Sequence, residues 1–238
     1  MSEREQRVAI ITGASQGIGA GLVAGYRRLG WAVVANARTV RPPSDPNVLA
    51  VEGDITERTT AERIVGEALR RFARIDTLVN NAGVFVSKPF TDYTADDFAH
   101  VTGVNLSGFF WITQLAIAEM LKRGCGHVVN ISATVAEYAS SKTPAVLTAL
   151  TKGGLAAAAR SLAVEYASRG IRVNAVSPGV IQTPMHPPES YEQLGDRLPP
   201  IGRVGKISDI VEGILFLEAS PYITGEILHI DGGQIAGH

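Results

Sequence analysis

Short runs of apolar residues, many of them β-branched, alternate along the chain with longer segments of helical periodicity. The first run is Val8-Ala9-Ile10-Ile11, and its lack of alternation with polar residues is typical of a strand buried on both faces. Six similar runs predict further strands at residues 31–37, 48–51, 77–79, 127–132, 172–176 and 226–230. This alternation predicts the α/β class: a single Rossmann-type, doubly wound domain whose seven-stranded parallel sheet carries helices on both faces.

The segments between these runs predict the connecting helices. Helical patterns cover residues 17–29, 56–72, 94–122, 144–168 and 208–217, with a joint in the third near Gly103 and a cap for the last at Ser208. Pro144 suits a first helical turn, where a missing N–H costs nothing, and Thr143 is its predicted cap. Prolines in residues 41–47 and 179–200 predict loops, the second a substrate lid with one short helix at most. Residues 1–238 are predicted to form one domain.

The loop after the first strand has the spacing of a dinucleotide-binding turn. Thr12 ends the strand, and Gly13, Gly17 and Gly19 follow before an amphipathic helix. Gly13 permits a sharp turn, Gly17 lets the backbone approach a pyrophosphate, and Gly19 lets the helix pack closely on the sheet. The N–H groups and the positive end of that helix then face the phosphates. Three glycines alone are weak evidence, so their position between a buried strand and a helix carries the prediction.

The end of the second strand bears on the choice between NAD and NADP. An acidic residue there would accept hydrogen bonds from the ribose hydroxyls of NAD and repel the 2′-phosphate of NADP. This chain has Asn36-Ala37-Arg38 at that point, with no acid and one cation. A guanidinium makes charge-assisted hydrogen bonds to phosphate, so we expect NADP(H) as the cofactor. The alternative is that Arg38 is a solvated surface residue.

Composition and charge exclude several function classes. The 22 basic and 23 acidic residues give a formal net charge of -1, so neither nucleic acid nor an anionic membrane is an expected partner. Cys125 is the single cysteine, which allows no internal disulfide and does not suggest a metal site. The N-terminal residues are too polar for a secretory signal, and the apolar stretches are interrupted before membrane-spanning length. We therefore expect a cytoplasmic protein without a metal.

The spacing Gly-x-x-x-Gly-x-Gly resembles that of the short-chain dehydrogenase/reductase family, and the resemblance extends over essentially the whole chain. Its further motifs are Asp54 after strand three, Asn80-Asn81-Ala82-Gly83 after strand four, Asn105 in a helix, and Pro178-Gly179-Val180-Ile181-Gln182-Thr183 after strand six. The resemblance implies an oxidoreductase, and Arg38 favours NADP(H) as its cofactor. The residues expected to contact the cofactor are Gly13, Ser15, Gln16, Gly17, Ile18, Gly19, Ala37, Arg38, Asp54, Ile55, Asn81, Ala82, Gly83, Lys152, Pro178, Gly179, Val180 and Thr183.

The resemblance also implies a catalytic tyrosine and a lysine four residues later on one helix. The candidates are a literal match, Tyr138-Ala139-Ser140-Ser141-Lys142, and a positional match, Thr148-Ala149-Leu150-Thr151-Lys152. Residues four apart share a face only inside a helix, and Pro144 disfavours helical geometry just before it, so Lys142 is predicted to precede the helix. An ungapped count back from Gly170-Ile171-Arg172-Val173-Asn174 places the family's lysine at Lys152. Thr148 then stands where the family has tyrosine.

The family's catalytic serine position is altered as well. The family ends strand five with Asn-Ile-Ser-Ser, whereas this chain has Asn130-Ile131-Ser132-Ala133-Thr134. Ala133 cannot hydrogen-bond a substrate through its side chain, although Ser132 or Thr134 could substitute in part. The resemblance implies that the helix asparagine holds a water molecule of the proton relay and that the lysine holds the nicotinamide ribose. The predicted catalytic residues are Lys152, Asn105, Tyr138 and Ser132.

Three interpretations of this altered site remain open. In the first, the enzyme is active and its proton donor has moved to Tyr138, in a loop that borders the substrate pocket of this fold, or to His186 on the lid. In the second, Lys152 and ordered water support a slow reductase. In the third, the chain is a catalytically degenerate NADP-binding module, or a structural or regulatory subunit, without dehydrogenase chemistry.

The expected substrate and assembly follow from the same resemblance. Apolar and aromatic residues expected around the pocket favour a small or medium hydrophobic carbonyl compound or alcohol; they are Phe85, Met185, Tyr191 and Leu194. Members of the family are usually homotetramers or homodimers that pair through two long helices, here residues 96–122 and 144–168. We therefore expect a homo-oligomer.

Overall fold

The computed structural model describes residues 6–40, 43–184 and 198–237. Its seven strands are β1 (Val8–Thr12), β2 (Ala32–Ala37), β3 (Val48–Glu52), β4 (Thr77–Asn80), β5 (Gly126–Ile131), β6 (Ile171–Pro178) and β7 (Ile227–Ile230). They form one sheet in the order β3-β2-β1-β4-β5-β6-β7, and every pairing is parallel. The predicted seven-stranded parallel sheet is confirmed, with each strand end within two residues of its expected place.

The central strands are apolar on both sides because both sides of the sheet are covered. Val8 and Ile10 of β1 point into one core cluster, and Ala9 and Ile11 point into another. The helices are α1 (Gly17–Arg28), α2 (Arg58–Phe72), α3 (Ala95–Thr102), α4 (Gly108–Arg123), α5 (Val146–Tyr166) and α6 (Ile207–Ala219). Residues of α2, α4 and α5 join the first cluster, and residues of α1 and α6 join the second. The sheet is therefore doubly wound, as predicted.

A π-helical turn, Gly103–Ser107, joins α3 to α4 and confirms the predicted joint. Among the described residues, Ala95–Arg123 is the one helical span with the length and composition of a membrane-crossing helix. The expectation that all apolar stretches stop short of that length is therefore wrong here. Ile112, Ala116 and Met120 on this span are nevertheless fully buried in the core against the sheet. A core helix passes the same test of length and composition, so this span is weak evidence for a membrane.

Two predicted helix starts need correction. Helix α5 begins at Val146, with Ala145 at the N-cap and no side-chain cap, so the predicted start at Pro144 and cap at Thr143 are wrong. Helix α6 begins at Ile207, and the N–H of Lys206 donates to the Asp209 carboxylate at 2.8 Å, so Ser208 is not the cap. Residues 41–42 and 185–197 of the predicted loops lie outside the described residues.

Candidate active site

The carboxyl ends of the strands open into a cleft of about 1130 Å³. The chain order reverses between β1 and β4, which is where ligands bind in sheets of this kind. All the residues predicted to contact a cofactor line this cleft except Gly19, which lies behind the wall. Of the predicted catalytic residues, Ser132, Tyr138 and Lys152 also line it, whereas Asn105 lies beside a small cavity beneath.

The glycine turn is built so closely that side chains are excluded from it. Gly13 has φ +64°, and a Cβ there would lie 2.9 Å from the Cα of Ala82. A Cβ on Gly19 would overlap the carbonyl oxygen of Gly13 and lie 2.7 Å from the Asn81 amide nitrogen. These contacts bring the start of α1 against the loop after β4. The close packing at Gly19 is therefore between the start of α1 and the loops after β1 and β4, whereas the prediction was packing on the sheet.

Side-chain hydrogen bonds tie the loops after β1 and β4 together. The Thr12 hydroxyl oxygen accepts the backbone N–H of Asn81 at 3.1 Å and of Ala82 at 3.0 Å. The Asn81 side-chain amide donates to the carbonyls of Thr12 and Gly13, at 2.8 and 3.1 Å. Because these groups satisfy one another, the two loops are fastened together in this wall of the cleft.

The first turn of α1 suits a phosphate group. No acidic residue lies in that turn, and the N-cap residue Gln16 makes no side-chain hydrogen bond to it. The backbone N–H groups at this end carry partial positive charge. Next to it, β2 ends at Ala37, and the exposed Arg38 lines the same part of the cleft. Asn36 donates to the carbonyls of Val51 and Gly53, which fixes the ends of β2 and β3 together.

Lys152 brings a buried ammonium group to the middle of the cleft. Its Nζ donates to the carbonyl oxygen of Ile131 at 2.7 Å. Burial disfavours the charged form and lowers the pKa of Lys152 to about 8. A Cβ on Gly83 would lie 2.9 Å from this Nζ, so glycine keeps the space in front of it open. A lysine with such a pKa exchanges protons readily near neutral pH.

Three hydroxyl groups of residues that line the cleft with Lys152 are already engaged by the protein. Ser132 donates to the carbonyl of Lys152 at 3.0 Å. Thr134 donates to the side-chain oxygen of Gln234 at 3.3 Å. Thr148 accepts the N–H of Val86 at 3.2 Å and donates to the carbonyl of the same residue at 3.3 Å. Each hydroxyl has one proton, and in all three that proton lies on a protein acceptor.

The Asn105 side chain braces the loop after β4. Its oxygen accepts the N–H of Val84 at 2.9 Å, and its nitrogen donates to the Val84 carbonyl and to the Thr151 hydroxyl, at 3.1 and 3.0 Å. Both amide hydrogens are therefore used. The π-helical turn that contains Asn105 brings its side chain to this loop.

Tyr138 differs from the three engaged hydroxyls. It lies in the loop after β5, lines the cleft and is 37% exposed. Its phenol makes no hydrogen bond to any residue that the structure describes. Lys142 lies in the same loop, before the first turn of α5, as the sequence predicted from Pro144. Tyr138 and Lys142 therefore do not form a pair on one helix. His186, the other candidate donor, lies outside the described residues.

Comparison with known proteins agrees with this geometry. The sequence profile of the family described as Enoyl-(Acyl carrier protein) reductase matches residues 13–234. The 3-oxoacyl-[acyl-carrier-protein] reductase FabG of Thermotoga maritima is 34% identical over 249 residues, which cover 97% of this chain and 98% of that protein. The chain belongs to the short-chain dehydrogenase/reductase family.

Other members of the short-chain dehydrogenase/reductase family match over the same length. The 2-dehydro-3-deoxy-D-gluconate 5-dehydrogenase of Bacillus subtilis is 33% identical over 244 residues, covering 97% of this chain and 95% of that protein. The crystal structure of 3-ketoacyl-(acyl-carrier-protein) reductase from Brucella melitensis complexed with NADH superimposes with a TM-score of 0.90 and 30% identity, covering 97% and 99% of the two chains. ElxO with NADP bound gives a TM-score of 0.88 and 27% identity, covering 98% and 100%.

The structure also shows residues in the cleft or next to it that the sequence does not predict. Gln234, near the C-terminus, and His100, on α3, both line the cleft. Glu137, next to Tyr138, contacts His229 of β7 and Ser177 of β6. No local pattern marks these residues, because each contact joins segments that are far apart in the chain.

Proposed function

We propose that this chain is an NADP(H)-dependent oxidoreductase that interconverts a small or medium carbonyl compound and its alcohol. One observation carries the proposal: a single cleft holds the glycine turn, the Arg38 guanidinium, the buried Lys152 ammonium and the Tyr138 phenol. The excluded Cβ positions at Gly13 and Gly19, and a helix end without an acidic residue, fit a dinucleotide. The NADP bound to ElxO supports this cofactor, and the NADH bound to the Brucella melitensis enzyme makes NAD the alternative.

Each part of the cleft has a distinct role in this proposal. The start of α1 holds the pyrophosphate, Arg38 holds the 2′-phosphate, and Asp54 and Ile55 flank the adenine. In this proposal the nicotinamide end lies against Gly83, Lys152, Pro178-Gly179-Val180 and Thr183, all of which line the cleft. When bound, NADPH supplies the hydride that reduces the carbonyl carbon. The protein must then deliver a proton to the carbonyl oxygen.

Tyr138 is our proposed proton donor. Ser132, Thr134 and Thr148 each donate their only hydroxyl proton to a protein acceptor, and Ala133 has no hydroxyl. The Tyr138 phenol lines the cleft with its proton uncommitted to any described residue. The Lys152 ammonium in the same cleft would favour the phenolate left after transfer, and that phenolate would recover its proton from solvent. Lys152 with ordered water is the simpler alternative, because its pKa of about 8 permits direct transfer.

The substrate end of the cleft favours a hydrophobic carbonyl compound. Apolar side chains form much of its described wall, namely Val84, Phe85, Val104, Ile131, Ala133 and Val135. Met185, Tyr191 and Leu194, which were expected to add to it, lie outside the described residues. Burial of an apolar substrate against this wall would expel water from the reacting centre.

A second candidate function is a binding module that holds NADP without turnover. The engaged hydroxyls and Ala133 favour it, because Thr148 and Ala133 replace the tyrosine and the serine that the resemblance makes catalytic. A screen of NADPH oxidation against aldehydes, ketones and quinones separates the candidates. Turnover of one class of carbonyl compound supports the oxidoreductase. Tight NADPH binding without turnover of any compound would favour the module.

The cofactor preference needs its own measurement. Isothermal titration with NADPH and with NADH should give tighter binding of NADPH, since Arg38 offers a partner only to the 2′-phosphate. Tighter binding of NADH would contradict the proposal and leave Arg38 as a solvated side chain.

We also propose a homo-oligomer in the cytoplasm. Exposed apolar side chains on α3, α4 and α5 suit pairing of copies through these helices; they are Phe98, Phe110, Val146, Leu150 and Val164. The exposed, unpaired Cys125 suits a reducing compartment. Light scattering should give a dimer or tetramer mass, and a monomer mass at micromolar concentration would contradict the assembly.

A further inference from the structure

The segment that carries Tyr138 is held by few backbone hydrogen bonds of its own. Residues 134–138, here called the Tyr138 turn, close through backbone bonds from Glu137 and Tyr138 to the Thr134 carbonyl, at 2.9 and 2.8 Å. After it the chain has no regular structure until Val146. A single turn of this kind leaves its orientation to other contacts.

Residues 134–136 pack against α5, and the side-chain hydrogen bonds of the turn come from distant parts of the chain. The two carboxylate oxygens of Glu137 accept hydrogen bonds from His229 Nε2, at 2.9 and 3.1 Å. One of them also accepts a hydrogen bond from the hydroxyl of the buried Ser177, at 3.3 Å. Thr134, at the other end of the turn, donates to Gln234 at 3.3 Å. Two of the three partners belong to residues 229–234, here called the C-terminal anchor.

The C-terminal anchor is itself held firmly. The two carboxylate oxygens of Asp231 accept the N–H groups of Gly233 and Ile235, at 2.9 and 2.8 Å. A Cβ on Gly179 would lie 2.8 Å from the Cα of Asp231, so the anchor packs directly on the loop after β6. Gly179 N–H also donates to the Ile230 carbonyl at 3.1 Å. The Tyr138 turn is therefore fastened to a part of the fold that is itself well fixed.

We infer that His229 and Gln234 are positioning residues, which act through Glu137 and Thr134 to hold the Tyr138 phenol in the cleft. The inference rests on the proposed function, because it gives Tyr138 the proton transfer. A misplaced donor slows the chemical step while the cofactor remains bound. Loss of the anchor should therefore lower kcat and leave NADPH affinity unchanged.

The test compares variants that break or keep the contact between anchor and turn. His229→Leu and Glu137→Leu each remove it, and His229→Gln keeps a nitrogen donor. Glu119→Leu is the matched control, because it removes an exposed ion pair with Lys122 (2.7 Å) on α4, away from the cleft. The readouts are hydrogen–deuterium exchange of residues 136–138, kcat for the best compound of the carbonyl screen, and the Kd for NADPH.

The two breaking variants should speed exchange of residues 136–138 and lower kcat by about fivefold, as expected for the loss of one partly exposed hydrogen-bonded contact. The NADPH Kd should stay unchanged, and His229→Gln and Glu119→Leu should behave like the wild type. Unchanged exchange or unchanged kcat in both breaking variants would overturn the inference, as would an equal loss in Glu119→Leu. Using two breaking variants keeps the test valid if one fails to fold.

The proton-donor role of Tyr138 and the positioning role of the C-terminal anchor can be contradicted by different results. If Tyr138→Phe keeps full activity, Tyr138 is not the proton donor, whatever the anchor variants do. If Tyr138→Phe loses activity while His229→Leu and Glu137→Leu keep it, the proton donor stands and the positioning role is wrong.

Discussion

The two halves of the cleft have different relationships to the family pattern. The half built by β1, β2 and α1, here called the cofactor half, keeps the glycine turn and is held by contacts among neighbouring loops, such as Asn81 with Thr12. In the half built by β5 and α5, here called the substrate half, the hydroxyl groups of Ser132 and Thr148 hydrogen-bond to the protein backbone. This difference teaches that an intact glycine turn does not show whether the neighbouring half of the cleft can catalyse the reaction of the family.

The largest effect is expected in the cofactor half, for Gly19→Ala. The new Cβ would overlap the Gly13 carbonyl, and the backbone there cannot move away without a large cost in free energy. We expect a loss of about 3 kcal/mol in the free energy of unfolding and loss of NADPH binding. The matched control is Gly66→Ala on α2, where nothing lies within 4 Å of the new Cβ. It should stabilise the fold by about 0.5–1 kcal/mol, as measured by urea denaturation.

Lys152→Met should lower kcat/KM by about a hundredfold, the usual scale for a lost proton-transfer group. In the wild type, activity that needs the ammonium should fall as the pH rises through about 8, where Lys152 loses its proton. Lys122→Met, on the exposed end of α4, should leave kcat/KM unchanged. Equal losses in the two variants would argue against a specific role for Lys152.

The same substitution should raise stability at neutral pH. Below pH 8 the lysine is protonated in the folded and unfolded states, so the folded state bears the cost of a buried ammonium. Between about pH 8 and the usual pKa of 10.5 the unfolded chain binds more protons, so the free energy of unfolding rises with pH. At pH 7, Lys152→Met should gain about 2 kcal/mol, after about 1 kcal/mol is subtracted for the Ile131 hydrogen bond. The gain should vanish by about pH 10, as followed by thermal melts.

Arg38→Gln should weaken NADPH binding by about tenfold and leave NADH binding unchanged, because only NADPH carries the phosphate that Arg38 would hold. Isothermal titration gives both affinities. Equal affinities of the variant and the wild type for NADPH would show that the Arg38 guanidinium does not select NADPH over NADH.

The smallest effect is expected for Thr148→Val in the substrate half. Valine has nearly the same shape but cannot bond the Val86 backbone, so exchange of the Val86 amide should quicken and kcat/KM should fall by about fivefold. Thr148→Ser keeps the hydroxyl and should retain both properties. If valine and serine behave alike, Thr148 is not a brace of this loop.

The fold and the cofactor half could be predicted because their signals are local. Val8-Ala9-Ile10-Ile11 predicts a strand buried on both faces, and the glycines follow it within a few residues. Pro144 predicts a start of α5 that is too early, because proline is a local signal. In the structure the Ser87 hydroxyl donates to the Pro144 carbonyl. That contact joins residues 57 apart in the chain.

The substrate half was predicted less completely for the same physical reason. Thr148 was singled out by its place in the sequence, but its hydrogen bonds to Val86 depend on tertiary packing across 62 residues. The pair of Glu137 and His229 spans 92 residues, so no sequence motif includes both. Arg38 and Asp54, by contrast, are marked by the strand ends that they follow.

The central claim is that proton transfer has moved to Tyr138 beside an intact cofactor site. Steady-state kinetics of Tyr138→Phe test it most directly, with the NADPH Kd measured in parallel. The account predicts a fall in kcat of about a hundredfold and a Kd unchanged from the wild type. An unchanged kcat would contradict the account and leave Lys152 with ordered water as the source of the proton.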